Sequence, residues 1–554
     1  MVFQRLILKF VVFSSMAIFA AWRFGQDIIP PWLLCLGFIF LFSMHVATAV
    51  LYTIILQPRL STLKNLPAAP QPSVWSRLIK EPSPYHFERW INEIPNNGLI
   101  RYYGILNMER VLITSPAVVR QILHADAYSF EKQYAQKTHL ERVSGRGLVY
   151  QEGNVHKLQR NVLDPAFKVK MVRNVFHPSI WSKTCQMLDA VDRETSRPIN
   201  NESDQTRDLS SPPLPSVQNI INRTLFDITG MVSYGMDFRS ITEPGLFFEP
   251  LKHYRDAFKP LPANRLRVYL AFVLPDWALN ALPIRFNYTS AIGISRFRNI
   301  GKNFLARLKK VRPNAERLIE PEIVGTVSVM HKIMAANQLT EEELHNQFMM
   351  LQAGGTHTTT AAVMSVIWYL AQPSFLEVQG KLREEIRMKV SPPGTKPVAA
   401  ETFAQCSYLN AVINEVLRLH PPFTWLGRTP NTWIDVGGTK LPPGLSISLS
   451  PWAMHRDKSV WGSDAFEFKP ERWLRPQSEQ NIPKNNFAWL TFGAGPRRCI
   501  GERVARLELQ CMIVGLFGRF EFQFDGQMPP RVTHQVTLDF KDEFKVRTKL
   551  VQGW

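Results

Sequence analysis

Cysteine is scarce in this chain of 554 residues, and its spacing shows no disulfide-like framework. The five cysteines contain no C-x-x-C pair, and this usage suits a reducing compartment. Cys35 lies in an apolar N-terminal stretch, while Cys185, Cys406 and Cys511 are expected to be ordinary core or surface residues. Cys499 differs from these four because of its neighbours in the sequence.

Signatures of nucleic-acid binding are also missing. The sequence shows no zinc-finger spacing, no helix-turn-helix signature and no single dense basic tract, although its formal net charge is +19. Such an excess of positive charge indicates an anionic partner. We expect a membrane surface or an acidic protein rather than nucleic acid. An equal alternative is that the lysines and arginines only keep the surface soluble.

No Gly/Ser-rich linker divides the chain after residue 75, and no internal repeat is present. Hydrophobic residues make up 45% of the sequence, which is enough for a large buried core. We therefore predict one large unit over residues 76–554, preceded by a membrane anchor over 1–60 and a proline-rich tether over 61–75. Such a tether is semi-rigid, and a plain loop is the alternative.

The predicted anchor contains an uncharged run over residues 32–56, which is long enough to span a bilayer as a helix. A shorter apolar stretch from Phe10 to Trp22 is either a second span or part of a signal peptide. Two spans would place Arg5 and Lys9 on the same side as the basic residues after the run, as the positive-inside rule favours. With one span or two, the main body is expected on the cytosolic side.

Sequence periodicity predicts a mainly α fold with small β-sheets (α+β). Alternating apolar residues over 98–123 indicate two strands with a turn near 106–109, followed by a helix that starts at Ser115. Residues 150–400 are dominated by helical periodicity, interrupted by a polar, proline-rich loop at 200–216. Near the C-terminus, three phenylalanines that alternate with polar residues between positions 520 and 524 indicate a further strand.

A long helix is signalled from Thr340. Thr340 and Glu343 form a capping box, and the apolar pattern continues to about Ala371, before Pro373 ends the helix. At 1.5 Å per residue, roughly 32 residues extend about 48 Å. A helix of this length must cross the whole domain.

The sequence that leads to Cys499 reads F-G-A-G-P-R-R-C-I-G. Gly493 and Gly495 permit a tight turn, because glycine tolerates positive φ. The backbone N–H groups of such a loop, and the N-terminus of the helix that follows, can stabilise an ionised sulfur. Arg497 lies two residues before the cysteine, where its guanidinium can bind a carboxylate.

Phe492 and Gly501 complete the pattern F-G-x-G-x-R-x-C-x-G, which resembles the cysteine loop of the cytochrome P450 family at every specified position. The resemblance implies the cytochrome P450 fold, in which a long central helix lies over haem b (iron protoporphyrin IX). It implies that Cys499 is the axial ligand to the iron and that Arg497 binds a haem propionate. Phe492, Gly493 and Gly501 are implied to border the haem.

The resemblance covers roughly residues 65–550 and is strongest over 340–515. Glu415 and Arg418 fit the E-x-x-R helix of the family, and since they are three residues apart they share a helical face and can pair. Arg472 lies in a segment that is similar to the family's P-E-R segment. These three residues are implied to form a charged network behind the cysteine loop.

Residues 354–359 of the long helix read G-G-T-H-T-T and resemble the oxygen-binding segment of the family. The resemblance implies that Thr358 helps to deliver protons, while the alternative is a threonine that bonds its own helix backbone. His357 stands where the family has Asp or Glu. It could relay protons in altered form, slow their delivery or be a packing choice.

Three further residues are candidates for the haem propionates. The family often has W-x-x-x-R on a helix that contacts them, and here His156 replaces the tryptophan while Arg160 keeps its place. Arg160 is the implied propionate partner. His156 either bonds a propionate too or is a partly exposed structural histidine. Arg428, after the E-x-x-R helix, is another implied contact.

The resemblance implies a monooxygenase that inserts one oxygen atom from O2 into a hydrophobic small molecule. Electrons are expected from NADPH through a separate flavin reductase, NADPH–cytochrome P450 reductase. The protein is expected in contact with membrane lipid, in the endoplasmic reticulum, with its catalytic domain in the cytosol. Phe348, Phe423, Trp425 and Leu426 predict an apolar and aromatic substrate pocket. The overall pattern looks like fungal members of the family that act in specialised metabolism.

Two alternatives stay open at this point. One is a haem-thiolate isomerase or dehydratase that does not use O2, and Thr358 argues against it because such relatives often lack this threonine. The other is a non-catalytic haem-binding protein that kept the fold, for which His357 is the best support.

Overall fold

A computed structural model describes most of the chain after residue 55. The described residues are 36–37, 40, 43–44, 48, 51, 56–133, 137, 141–195, 217–246, 248, 251–252, 254, 270, 276–282, 285–310, 327–474, 487–524, 532–534, 538–540 and 546–554. Most of the predicted anchor and all of the predicted loop at 200–216 lie outside them.

Within these ranges, no single helix has both the length and the apolar character needed to cross a membrane. The helical segments Glu341–Leu370 and Pro373–Lys389 meet both criteria when they are taken together, by length and composition only. A bend of 89° separates them, and most residues of the first are buried inside the protein.

The chain divides into two compact units, each built from segments that are distant in the sequence. The segments of the first unit are 1–140, 261–287 and 425–453. The segments of the second unit are 141–260, 288–424 and 454–554.

A five-stranded sheet organises the first unit. Its strands, with those of a separate hairpin, are β1 Leu99–Tyr103, β2 Glu109–Ile113, β3 Phe130–Glu131, β4 Leu426–Pro430, β5 Ile434–Val436, β6 Thr439–Leu441 and β7 Ser446–Leu449. The strand order is β1-β2-β7-β4-β3, and β5 pairs with β6. Strands β1 and β2 are antiparallel with Leu99 opposite Ile113, which confirms the two strands predicted from alternation, and β2 runs parallel to β7.

The segments that flank β2 follow local sequence signals. Leu106 and Asn107, in the turn after β1, have left-handed φ values of 57° and 53°. The Ser115 side chain accepts the N–H of Ala117 at 3.2 Å and caps the predicted helix. The helices of the first unit are Gln57–Leu60, Val74–Ile79, Pro84–Glu93, Pro116–Arg120 and Asp276–Ala281, with most of Pro451–Met454.

Part of the segment expected to be a tether pairs with β1. The Ala69 N–H donates to the Arg101 carbonyl at 2.8 Å, and the Arg101 N–H donates to the Pro67 carbonyl at 2.8 Å. Leu63 and Ala69 are both buried. The segment is therefore held along the edge of the sheet in the first unit.

The second unit is mainly helical, as predicted for residues 150–400. Its longest helix, Glu341–Leu370, is called the central helix below. Two small sheets pair β8 Phe520–Phe524 with β11 Val546–Leu550, and β9 Val532–His534 with β10 Leu538–Phe540, and β8 is the strand predicted from alternating phenylalanines. The other helices are Gly153–Leu163, Val169–Met171, His177–Thr195, Val217–Tyr234, Arg285–Lys310, Val329–Ala336, Leu376–Lys389, Ala400–Gln405, Ser407–Leu419, Lys458–Trp461 and Glu502–Arg519.

Both predicted ends of the central helix are confirmed. Thr340 Oγ1 accepts the N–H of Glu343 at 3.3 Å, and the Glu343 carboxylate accepts the N–H of Thr340 at 2.9 Å. Ala371 is the C-terminal cap, two residues before Pro373. The reciprocal cap satisfies two N–H groups that the first turn of a helix otherwise leaves unbonded.

The central helix packs closely against the helix Val217–Tyr234. A Cβ atom built on Gly355 would lie 2.8 Å from Cγ2 of Thr229, which is too close for a side chain. Glycine at this position therefore allows the two helices to approach. The contact fixes the central helix just where the candidate oxygen-binding segment begins.

Candidate functional site

The segment before Cys499 folds into a tight loop. The Gly493 N–H donates to the Leu490 carbonyl at 2.9 Å, and the Cys499 N–H donates to the Phe492 carbonyl at 2.8 Å. Gly493 and Gly495 have φ values of +68° and +71°, a region that other residue types rarely adopt. The two glycines therefore set the path that returns the chain to the cysteine.

The sulfur of Cys499 combines accessibility with close protein surroundings. The residue is exposed, yet burial by neighbouring protein atoms raises the pKa of its thiol. A hydrogen bond from the Gly501 N–H and the charges of Arg160 and Arg498 act to lower the pKa, while Glu502 acts to raise it.

Arg497 is buried beside the loop and holds a carboxylate. Its side chain is 4% exposed, and its Nη1 lies 2.5 Å from Oε2 of Glu152. Glu152 immediately precedes the helix Gly153–Leu163, so the ion pair ties that helix to the loop. No local signal in the sequence predicts Glu152 as a partner, because the two residues are far apart along the chain.

The helix Gly153–Leu163 also supplies Arg160 and His156. Arg160 Nη1 donates to the Arg498 carbonyl at 2.6 Å, and its Nη2 lies 3.7 Å from the carboxylate of Asp164. Arg160 therefore reaches the cysteine loop. His156 is only 3% exposed, so the expectation of a partly exposed histidine is wrong, since this face of the helix is packed into the unit.

Gly354 interrupts the packed surface of the central helix. The residue is exposed, and a Cβ atom built on it would meet no atom within 4 Å. Thr358 Oγ1 donates to the Gly354 carbonyl at 2.8 Å, a bond that threonine commonly makes inside helices. His357, which immediately precedes Thr358 in the sequence, is half-buried. The helix thus presents an open glycine surface next to a hydroxyl that is held by its own backbone.

A buried carboxyl lies behind the same segment. Thr359 Oγ1 donates to Oε2 of Glu508 at 3.0 Å, and burial raises the pKa of Glu508 to about 7. Glu508 lies in the helix Glu502–Arg519, among residues that are buried. The sequence signal that points to it is a lone acid within an otherwise apolar helical stretch.

The charged network is assembled around the carboxylate of Glu415. Arg418 donates to both of its oxygens at 2.8 Å, and Arg472 Nε donates to Oε1 at 3.1 Å. Trp473 Nε1 adds a bond to Oε2 at 2.9 Å. Burial acts to raise the pKa of Glu415, but the hydrogen bonds and charges of Arg418 and Arg472 outweigh it, and the pKa is lowered.

His455 connects this network to the cysteine loop. Its Nε2 accepts the N–H of Leu490 at 2.7 Å, so its Nδ1 carries the proton that is shared with the Arg418 carbonyl at 2.8 Å. Burial lowers the pKa of His455 to about 3, which keeps the imidazole neutral. Arg418 itself donates to the His455 carbonyl at 2.7 Å. The network therefore fixes the backbone at Leu490, two residues before Phe492, where the loop begins.

Phe492 is held by aromatic and cationic neighbours. Its ring centroid lies 5.9 Å from that of Trp489, and the guanidinium carbon of Arg506 lies 5.1 Å from each ring centroid. Cation–π contacts of this kind stabilise the rings. They give the first residue of the loop a defined place.

Two other candidates lie elsewhere. Arg428 is on β4 in the first unit, where its Nη1 donates to the Gly427 carbonyl at 2.8 Å, and its role at a propionate stays a prediction. Phe348 was expected to line the substrate pocket, but it is fully buried and stacks on Tyr234 at 4.0 Å. The expectation for Phe348 is wrong because the central helix is apolar on most sides, so its pattern does not show which face is open.

The residues of the second unit fit a haem group. A cysteine sulfur suits haem iron, and a bound metal cation favours the thiolate over the thiol. Arg160 and Arg497 offer guanidinium groups for carboxylates such as propionates, and Arg497 already binds one carboxylate. Gly354 and Gly501 leave space, since a Cβ atom on Gly501 would meet only the Cys499 sulfur, at 4.0 Å.

Comparison with known proteins identifies the family. The family model for cytochrome P450 matches residues 97–545. Cytochrome P450 monooxygenase sphH of Aspergillus fumigatus is 30% identical over 521 residues, which cover 91% of this chain and 92% of the relative. Cytochrome P450 monooxygenase ALT8 of Alternaria alternata is 28% identical, with 89% and 91% covered, and FSL4 of Gibberella zeae is 29% identical, with 91% of each covered.

Both the match to the family model and the identity to these relatives extend over most of the chain. Members of this family carry haem and use a redox partner and a small-molecule substrate, and the mainly helical second unit with its small sheets agrees with the family's fold. The chain belongs to the cytochrome P450 family and is a haem-thiolate monooxygenase.

Proposed function

We propose that Cys499 is the axial ligand of the haem iron in this monooxygenase. The observation that supports this most strongly is Cys499 itself, an exposed residue at the end of a loop shaped by two glycines with positive φ. Phe492, Gly493 and Gly501 would border the haem. The nearby charges of Arg160 and Arg498 favour an ionised sulfur.

The haem propionates are proposed to bind Arg160 and Arg497. Arg160 reaches the cysteine loop through the Arg498 carbonyl, and Arg497 is a residue of that loop whose side chain is buried. Guanidinium groups bind carboxylates through charge-assisted hydrogen bonds. His156 and Arg428 are proposed as further contacts to the propionates.

When it is bound through a thiolate, haem supplies the oxygen chemistry, in which one atom of O2 enters the substrate and the other leaves as water. The chain controls protons at its own groups. Thr358 Oγ1 would hold a proton beside the open surface of Gly354, since it donates to that carbonyl at 2.8 Å and its oxygen can still accept. His357 would pass protons in place of the usual acid, because imidazole titrates near neutral pH.

Replacement of His357 tests its part in proton delivery. We expect His357→Ala to divert more electrons to peroxide, because a group that passes protons is lost, and His357→Asp to keep electron use coupled to product. The measurement is the ratio of product and peroxide formed to NADPH consumed. Unchanged coupling in both variants would show that His357 is a packing residue.

Electrons are proposed to come from NADPH through a separate flavin reductase, NADPH–cytochrome P450 reductase. The formal net charge of +19 supports an acidic partner, because opposite charge speeds the encounter of two proteins. The loss of electron transfer at high ionic strength would support this, since salt screens such steering.

A membrane location is proposed for the N-terminal part. Residues 1–60 would form the anchor, 61–75 the tether and 76–554 the catalytic domain, with the domain on the cytosolic side of the endoplasmic reticulum and in contact with lipid. The uncharged run over 32–56 supports the anchor. The hydrogen bonds of Arg101 with Ala69 and Pro67 support a tether whose C-terminal part is joined to the first unit.

The substrate is proposed to be a hydrophobic small molecule of specialised metabolism, a class suggested by the fungal relatives. The test supplies the purified protein with reductase, NADPH, isotopically labelled O2 and a panel of terpenoid, polyketide and alkaloid scaffolds. One labelled atom is expected in the product and one in water. Turnover that proceeds without O2 and NADPH would instead indicate an isomerase or dehydratase.

A further inference from the structure

A groove in the second unit lies among residues that have no part in the site described above. Its outer cavity, of about 330 Å³, is lined by Arg142 and by one face of the helix Arg285–Lys310. Spacings of three, four and seven residues place the lining positions on one side of that helix. The lining residues from the helix are Ala291, Ile294, Ser295, Arg298, Asn299 and Lys302.

An inner cavity of about 260 Å³ adjoins the outer one and shares Arg142, Ile294 and Arg298 with it. It extends to the first turns of the central helix. Its remaining lining residues are Glu141, Gly145, Arg146, Glu342, Asn346 and Met349. The two cavities together are called the basic groove below.

Charge is distributed unevenly along the basic groove. Among the described residues that line the outer cavity, Arg142, Arg298 and Lys302 are cationic and none is acidic. In the inner cavity, Arg146 lies 3.6 Å from Glu141, so part of its positive charge is balanced. Burial lowers the pKa of Arg142, and an anion beside it would oppose that shift.

The outer cavity also offers apolar contact. Ala291 and Ile294 line it one to three turns before Arg298 and Lys302 on the same face of the helix, and long arginine and lysine side chains add apolar stems below their charged ends. At the inner end, Met349 lies nine residues before Thr358 on the central helix, about 14 Å at 1.5 Å per residue. An amphipathic molecule fits this order of charged and apolar contacts.

We propose that the basic groove binds the acidic end of an amphipathic small molecule, a carboxylate or phosphate ester on an apolar body, as a substrate of the monooxygenase. Guanidinium and ammonium groups recognise these anions, and the outer cavity offers Arg298 and Lys302 on one helical face together with Arg142. The statement that this molecule is a substrate rests on the proposed function, whereas the binding of an anion in the groove does not.

The test compares an acid with its neutral counterpart in the full-length haem protein. Dansylated undecanoic acid and its methyl ester are titrated by fluorescence into the unmodified protein, the double variant Arg298→Gln/Lys302→Gln and the control Arg296→Gln. Arg296 is exposed on the same helix but does not line the groove. We expect the double variant to bind the acid about tenfold more weakly and to bind the ester as the unmodified protein does. The control Arg296→Gln is expected to keep both Kd values unchanged.

Several outcomes would overturn the proposal. These are equal effects on acid and ester, no effect on either, or an effect of Arg296→Gln as large as that of the double variant. Binding of the same variants to phosphatidylserine vesicles separates a lipid headgroup from a small-molecule acid as the source of the anion. If the double variant binds the vesicles more weakly but keeps its affinity for the acid, the groove is a lipid site and the substrate proposal is contradicted. The reduced CO-bound spectrum of each variant reports on Cys499 separately, so failure of the haem site and failure of the groove are distinguishable.

Discussion

The charged network around Glu415 and the cysteine loop both belong to the second unit, but they use charge differently. Glu415 and Arg418 are fully buried, and each oxygen of the carboxylate has at least two hydrogen-bond donors. At the loop, the Arg497 side chain is buried as well, yet the residue Cys499 is exposed. Buried ion pairs in this unit hold the backbone in place. His455 connects them to the start of the cysteine loop through its hydrogen bond with the Leu490 N–H, while Cys499 at the end of the loop is exposed.

The largest expected effect comes from breaking the network. Arg418→Ala leaves a buried carboxylate without its main partner, and we expect a loss of about 3–5 kcal/mol in the free energy of unfolding. Urea denaturation measures it. The control is Arg89→Ala, which removes an exposed ion pair to Glu93 with side chains 70% and 58% exposed, and the expected loss there is about 0–1 kcal/mol. Losses of equal size in the two variants would refute a structural role for the network.

Glu508 can be compared with Glu415, because both are buried acids. The groups that shift the pKa of Glu508 include no cation. Burial raises the pKa of this carboxyl from an ordinary 4.5 to about 7. The folded chain therefore keeps a proton that the unfolded chain releases, and the stability that this proton contributes is full below pH 4.5 and is lost as pH rises through 7.

Glu508→Gln removes this titration. Between pH 5 and pH 8 the unmodified protein is expected to lose more unfolding free energy than the variant, by about 2.5 kcal/mol for a shift of this size. Urea denaturation at several pH values gives the two curves, and Glu384→Gln, at an exposed position, serves as control. Parallel curves for the unmodified protein and Glu508→Gln would contradict the raised pKa.

Alanine substitutions at two adjacent glycines of the central helix are expected to change the stability of the protein by smaller amounts and in opposite directions. Gly355→Ala places a Cβ atom 2.8 Å from Thr229, and overpacking of this kind costs about 1–3 kcal/mol. In the haem-free protein, Gly354→Ala meets no atom within 4 Å and is expected to stabilise the helix by about 1 kcal/mol, since alanine is the better helix former. Thermal unfolding of both variants tests this, and shifts of Tm in the same direction would contradict the difference in packing.

Local signals account for the parts of the fold that were predicted correctly. The ends of the central helix follow from the capping box at Thr340 and from Pro373, and the path of the cysteine loop follows from Gly493 and Gly495. The strands β1, β2 and β8 follow from alternation. In each case the residues that decide the structure are close neighbours in the sequence, so their pattern can be read without the fold.

The features that were missed depend on contacts between distant residues or on the choice of a face. Glu152 meets Arg497 only after the chain has folded, and Glu508 meets Thr359 in the same way. Partial exposure was one of two alternatives for His156, and Phe348 was expected to line a pocket, but both are buried because burial is set by which neighbour packs on each helical face. The apolar pattern of the central helix does not show its open surface at Gly354, and only the resemblance of residues 354–359 to the family marked that position.

The most direct test of the central claim is the absorption spectrum of the reduced, CO-bound protein. Ligation by the Cys499 thiolate predicts a red-shifted Soret band in the unmodified protein and in Cys185→Ser, whose half-buried cysteine lies outside the loop. Cys499→Ser is predicted to lose that band. A band that survives in Cys499→Ser, or an unmodified protein whose spectrum indicates imidazole ligation, would contradict the account.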